Sequence, residues 1–382
     1  MNFKTINSFA GVQISYSSLT FDSAPSEYQV IVVLSDTTGD FLAQTKRLIS
    51  AYREFCENEL PNAMPVFERY FLSDIVNQQS VLESQLENDG SYAVSFIGQP
   101  PLNGGKIVLW AWLQTDVVTR RIGNGVFETH TGNNMHLRTA SEYSLAAGPF
   151  KQTRELLAGY AAKLNDLSLT MADNCVRTWF YVHDVDNNYN GLVEVRNAVF
   201  EKQGLTTETH YIASTGIEGR SMSEKALIQM DTYAVAALKS EQIKYLYASG
   251  HLNRTSEYGV SFERGTSVLY GDRKQVFISG TASIDNRGLI VCPGDIVAQT
   301  GRMIENVEAL LLEAECSFAD VSQMIVYLRD VADYQTVKNI FSDKFPEIPC
   351  VILLAPVCRP GWLIEMECIA LKKEINSQYT VY

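Results

Sequence analysis

The chain has 382 residues, 46% hydrophobic, 10% aromatic and 20% charged, a globular composition that excludes disordered, collagen-like and coiled-coil proteins and allows two or three domains. Its formal net charge of −13 has the wrong sign for a nucleic-acid partner, and an anionic small molecule would need a locally positive pocket. Seven cysteines without a CxxC pair and five histidines without HxH or HxxxH spacing give no reason to expect a disulfide scaffold, a metal or another cofactor.

The opening MNFKTINSFAGVQ lacks the apolar core of a signal peptide, and the apolar runs at 31–34 and 107–113 are strand-length. A cytoplasmic protein without a membrane partner is expected. Gln44-Thr45 opens a first amphipathic helix, a strand ends over 69–74, and 106–112 reads as an apolar strand. The same order returns after Gln152-Thr153, whose helix carries Leu156, Leu157, Tyr160 and Leu164 on one face. It is followed by a strand over 177–184, a helix around 191–203 and a strand over 227–235. The acidic run 184–191 resembles a calcium loop faintly but lacks its terminal Glu, and reads as a turn before that helix.

A third copy begins with a hairpin, 264–270 and 275–282, about Gly271-Asp272. Gln299-Thr300 opens a helix with Met303, Ile304, Val307, Leu310 and Leu311 in one stripe. Strands over 323–330, 351–354 and 363–371 and a second helix over 333–345 complete it. LIQMDTYAV at 227–235 and LIEMECIAL at 363–371 match closely. The repeat predicts three α+β modules, 1–118, 119–240 and 241–382, each a sheet with two helices on one face. The bare sheet faces need cover, which stacking around a common axis supplies, so the expected architecture is a pseudo-trimer within one chain, either monomeric or assembled further as a homo-oligomer.

On the last strand, Ile364, Met366 and Cys368 face one way and Glu365 and Glu367 the other. The repeat places Gln229 and Leu109 at the position of Glu365, so only the third module holds an acid there; a solvated sheet face is the alternative. Glu367 reads as a supporting or surface carboxylate.

Phe277-Ile-Ser-Gly-Thr-Ala282, Gly294-Asp295, Gln299-Thr300, Asn306, Tyr327-Leu-Arg-Asp330 and Leu363-Ile-Glu-Met-Glu367 resemble the RidA/YjgF family of chorismate mutase-like trimers with ligand pockets between subunits. Its imine deaminases hold a substrate carboxylate with an Arg in a Pro-Ala-Arg strand. The corresponding stretch here is Ile348-Pro349-Cys350, and cysteine cannot give that bidentate charged contact. A closer resemblance, over roughly 175–382, is to the chorismatases, which carry fused RidA-like domains. It rests on Arg177-Thr-Trp-Phe-Tyr-Val182, Gly191-Leu192 with Arg196, Ala213-Ser-Thr-Gly-Ile217, Tyr258-Gly259, Phe262-Glu-Arg264 and Glu365.

That resemblance implies cleavage of the enolpyruvyl ether of chorismate, with release of pyruvate and with Glu365 as the acid. Protonating the terminal CH2 of an enol ether needs a carboxyl kept neutral by burial. Arg264 and Arg196 would hold the two carboxylates, Tyr258 and Tyr181 would orient the ring, and Thr215 and Gly216 would line the site. Chorismatases that hydrolyse their substrate carry alanine at two pocket positions, and those forming 3-hydroxybenzoate carry Gly and Cys. This chain has Gly280 and Cys358, and no His or Lys accompanies Cys358 in sequence to make it a nucleophile. The other readings are an imine, enamine or enol-ether hydrolase for another small anion, and a non-catalytic ligand-binding protein. A cleft between the second and third modules holding both Glu365 and Arg264 favours an enzyme.

Overall fold

The computed structural model describes residues 1–87, 89–123, 125–132 and 134–382. The chain first forms β1 (Asn2–Ile6), β2 (Val12–Leu19), β3 (Glu27–Leu34), α1 (Phe41–Glu59), β4 (Ala63–Leu72), α2 (Ile75–Glu83), β5 (Ala93–Gly98) and β6 (Ile107–Thr115). The second module contains β7 (Val118–Gly123), β8 (Val126–Thr131), β9 (Asn134–Tyr143), α3 (Gly148–Asn165), the single turn α4 (Met171–Asn174), β10 (Cys175–Val182), α5 (Val185–Lys202), β11 (Ala213–Glu218) and β12 (Ile228–Val235). The third contains β13 (Ile243–Leu246), β14 (Gly265–Leu269), β15 (Arg273–Ala282), α6 (Ile296–Glu313), β16 (Val321–Leu328), α7 (Tyr334–Lys344), β17 (Cys350–Leu354) and β18 (Ile364–Lys373).

Each module makes one six-stranded sheet, and the three strand orders are the same: β1-β2-β3-β6-β4-β5, β7-β8-β9-β12-β10-β11 and β13-β14-β15-β18-β16-β17. In each, only the outermost pair (β4 with β5, β10 with β11, β16 with β17) is parallel, joined through a helix. This is the expected α+β pseudo-trimer. Among the described residues no helix is long and apolar enough to cross a membrane.

The repeated glutamines hold each long helix to the central strand of its sheet. Gln44 Oε1 accepts from the amide of Lys106 at 2.8 Å, Gln152 from Leu227 at 2.7 Å and Gln299 from Leu363 at 2.9 Å. Those three residues lead into β6, β12 and β18. The glutamine Nε2 groups donate to carbonyls just before the same helices, at Thr37, Ala146 and Cys292. Every polar atom of a buried amide is thereby used, so the side chain costs little to bury and fixes one orientation.

The other sheet faces meet at the axis. Along β6, Val108, Trp110 and Trp112 join a core shared with the other modules, while Leu109, Ala111 and Leu113 pack under the first module's own helices. A strand with a core on each side reads as a continuous apolar run. Here the sequence reading of the first module needs correcting. The equivalent cross-strand pairs are Phe71–Val108, Tyr181–Gln229 and Tyr327–Glu365, so Val108 and not Leu109 occupies the position of Glu365. A one-residue slip in a strand moves a side chain to the opposite face. A second correction concerns 184–191, which opens α5 instead of a turn, because Glu218 on β11 accepts the amides of Asp184 (3.1 Å) and Val185 (2.7 Å) and caps the helix early.

Each seam between modules contains a buried ion pair: Arg69–Asp231 at 2.9 Å, Arg177–Glu367 at 2.7 Å and Arg273–Glu27 at 3.4 Å. Asp231 also accepts from the Ser95 hydroxyl at 2.6 Å and the Ser141 amide at 2.7 Å. Asp231→Ala would strand the Arg69 guanidinium in the core, with an expected loss of about 3–5 kcal/mol in a denaturant titration. A loss under about 1 kcal/mol would show that the pair does not hold the seam.

Candidate active site

The second and third modules form a cleft between them. Tyr189 and Arg196 reach it from α5, Ser214 and Gly216 from β11, and Gly280 and Ala282 from the end of β15. The segments 258–264 and 358–362 close its rim, and Glu365 of β18 stands at its base.

Two carboxylates on β18 receive opposite treatment. Glu367 accepts from Arg177 Nη2 at 2.7 Å, from Trp179 Nε1 at 2.9 Å and from the Thr215 hydroxyl. Glu365 is 5% exposed and has no hydrogen-bond partner among the described residues. Burial, and then the neighbouring Glu367, push the Glu365 carboxyl up to about 8, against the pull of Arg264 and Arg177. It is a protonated acid at neutral pH, opening on a cavity.

Three guanidinium groups surround the cavity without forming an ion pair among the described residues. Arg196 is 1% exposed, and its Nε and Nη2 have no partner. Arg264 is anchored by the Asn253 carbonyl (3.3 and 3.1 Å) and side-chain Oδ1 (3.1 Å). Asn253, a glycosylation sequon by sequence, is thus buried support for an arginine. Arg359 lies 4.5 Å from the Tyr258 ring centre and 4.9 Å from that of Trp362. Arg196, buried with two unspent donors, and the two further guanidinium groups beside it make an anion site.

Two glycines give the cleft its shape. A Cβ at Gly280 would collide with Glu365 Oε1 and stand 2.9 Å from its Cδ and 3.0 Å from Thr215 Cγ2, so the acid occupies space that only glycine leaves open. A Cβ at Gly216 would stand 2.9 Å from Tyr189 Cε2.

Of the residues singled out in the sequence, Glu365, Cys358, Arg264, Tyr258, Gly280, Arg196 and Gly216 line this one cleft. Burial, and then Glu365, push the Cys358 thiol up to about 12, which leaves it a neutral wall group and not a thiolate nucleophile. Two residues lie elsewhere. Tyr181 points to the axis, where the Arg69 guanidinium sits 5.4 Å from its ring centre. Thr215 stands behind the wall, where its hydroxyl accepts from the Gly280 amide at 2.9 Å and from Arg177. Alternation explains Thr215, whose neighbours Ser214 and Gly216 face the cleft, whereas the neighbours of Tyr181, Phe180 and Val182, pack in the second module's own core. Cys350 lines a different cleft. The register pairs Thr178 with Ser214 as it pairs Met324 with Cys350, so the strand position compared with the deaminase arginine is Ser214 in the Glu365 cleft. Sequence reasoning missed Tyr189, Arg359 and Trp362. The Cys358-Arg-Pro-Gly-Trp362 turn was the available signal, because Pro360-Gly361 brings the side chains before and after it together.

A module of RidA type, repeated three times around one acid-bearing cleft, is the class that fold and site define. Residues 267–372 match the family model described as Endoribonuclease L-PSP. A RutC family protein of Pyrococcus abyssi is 38% identical over 100 residues, covering 26% of this chain and 79% of the relative. The 3-aminoacrylate deaminase RutC of Acinetobacter baylyi is 35% identical over 97 residues, 25% of this chain and 77% of the relative. The chain belongs to the RutC family, within the RidA superfamily. Its fold resembles that of a chorismatase crystal structure over 80% of this chain and 92% of the other, with TM-score 0.63 and 17% identity.

The raised acid makes a signed prediction. Its folded-state value, about 8, lies above the ordinary 4.5 of a glutamic acid, so the folded protein binds the extra proton and stability falls as pH rises through that interval. Glu365→Gln removes the penalty. Its melting temperature, relative to the parent, should rise more at pH 8.5 than at pH 5, and equal shifts at the two pH values would contradict a buried, raised carboxyl.

Proposed function

We propose that this protein is a chorismatase-like enzyme that cleaves the enolpyruvyl ether of chorismate to pyruvate and 3-hydroxybenzoate. The observation that supports this best is the pairing of an unpartnered, protonated Glu365 with three acid-free arginines in one cleft. Chorismate carries two carboxylates and an enol ether, matching two or more guanidinium groups and one proton donor. Glu365 delivers its proton to the terminal CH2, and the resulting carboxylate faces the oxocarbenium ion. Addition of one water to that cation gives pyruvate and a dihydrodiol acid. Attack of the ring's own 4-hydroxyl on C3 in place of water breaks the C3–O bond as pyruvate leaves, and opening of the resulting epoxide at C4 with loss of the C3 proton leaves the oxygen on C3 as 3-hydroxybenzoate, with no net water. Gly280 and Cys358 are the pocket residues associated by resemblance with the second outcome, and here Gly280 also makes room for the acid.

A coupled pyruvate assay on chorismate, with chromatography of the ring product, tests the reading. Glu365→Gln should lower kcat by about 100-fold or more. Activity should fall as pH rises past about 8, where Glu365 loses its proton. Gly280→Ala, by displacing the carboxyl, should lower kcat and shift the product toward the water-adding outcome. Absence of pyruvate release from chorismate by the parent protein would refute the proposal. A second reading rests on the same acid: an enamine such as 3-aminoacrylate is also protonated at carbon, and ammonia release from it without pyruvate release from chorismate would select that reading.

A further inference from the structure

The pseudo-threefold gives the molecule three equivalent clefts, and the structure has treated each differently. In each, the edge strand of one module is bridged to the segment that follows the next module's edge strand, at Gly98–Arg220, Ile217–Val357 and Leu353–Pro101. The cleft between the first and second modules is filled. Gln229 donates to the Phe96 carbonyl at 3.0 Å and the Ser141 hydroxyl at 3.3 Å, and the Phe96 amide donates to the same hydroxyl at 2.9 Å. The cleft between the third and first modules stays open to solvent, between β2, β3 and β6 on one side and α7 and β17 on the other.

The open cleft repeats the acid-bearing one with its charges removed. Val108 replaces Glu365 by register. Ser15 replaces Arg264: Ser17 pairs with Gln29 as Thr266 pairs with Phe277, and each named residue lies two positions earlier. Ser342 follows Asp330 by twelve residues, as Arg196 follows Asp184. Cys350 and Ile352 hold the edge-strand positions of Ser214 and Gly216. All of these residues line their respective clefts. Lys338 and Glu347, the two charged side chains that line the open cleft, are exposed and of opposite sign, so no net charge faces the space. Phe341, Phe345 and Val33 add apolar wall.

We infer that the cleft between the third and first modules is a second ligand site, without the catalytic acid, that takes an uncharged ring compound bearing hydroxyl or carbonyl groups. The apolar base receives the ring face, and the Ser15 and Ser342 hydroxyls meet its polar edge. A carboxylate has no buried guanidinium to receive it there, so the substrate class of the acid-bearing cleft is excluded on desolvation grounds. This inference does not depend on which reaction the other cleft performs.

Resorcinol, a neutral dihydroxy ring, is a suitable probe, with binding to the full chain followed by calorimetry and by NMR titration. Saturable binding is expected. Ser342→Arg, on an exposed helix position, and Val108→Trp, which fills the base, should each weaken it at least 10-fold, while Glu365→Gln leaves it unchanged. Circular dichroism checks the fold of Val108→Trp, and Ser342→Arg alone decides the matter if that variant is unstable. Failure of resorcinol to saturate below 10 mM (about −2.7 kcal/mol by the affinity relation) would overturn the proposal. So would binding that is lost in Glu365→Gln and retained in Ser342→Arg.

Discussion

The ion pair between Arg177 of the second module and Glu367 of the third sets the terms for the rest of the site. It lies on the seam that forms the cleft, and Trp179 and Thr215 complete the carboxylate's hydrogen bonds. Glu367 is therefore held as a fixed negative neighbour, two residues from a second carboxyl on the same face of the strand. Glu365 receives no such support, and burial with that neighbour keeps its proton on near neutrality. Thr215 connects this pair to the Gly280 amide, so the glycine that leaves space for Glu365 is positioned by the same contacts. Acid strength and acid placement share one physical origin.

Fusing three modules into one chain frees the clefts to diverge. A symmetric trimer repeats each substitution three times, whereas here one cleft carries an acid and arginines, one is filled by Gln229 and Phe96, and one is open and neutral. The seams need not share a ligand function, because their cohesion comes from elsewhere: from the axial core and from buried ion pairs at each junction. The same separation explains how a chain of net charge −13 holds an anion-binding cavity. Arg196, Arg264 and Arg359 are concentrated there, while acidic groups near the site are either spent on Arg177 or kept protonated.

Much of this was legible in the sequence where the responsible interactions are local. The Gln-Thr pairs marked the modules because each glutamine must bond to the start of one particular strand, a constraint that conserves residue type along the repeat. Amphipathic stripes gave the helices, and β18 advertised its two acids in an otherwise apolar run. The misreadings came from quantities that the repeat spacing does not carry. Counting from Gln44 gave Leu109, where the register puts Val108; Tyr181 was placed beside the ligand, where strand alternation turns it to the axis. Arg359 went unnoticed because its stacking partners, Tyr258 and Trp362, come from segments separated by about a hundred residues.

The sequence by itself determined the α+β class, the threefold repetition and the presence of an acid in the third module at the strand position where the second module has Gln229. Those follow from periodicity and residue type, which are properties of short stretches of chain. Only the tertiary structure decided which carboxylate is neutralised, which arginines keep free hydrogen bonds, and which of three equivalent clefts is occupied by its own side chains. Charge state and vacancy depend on burial and on partners from other modules, and neither exists until the sheets close around the axis.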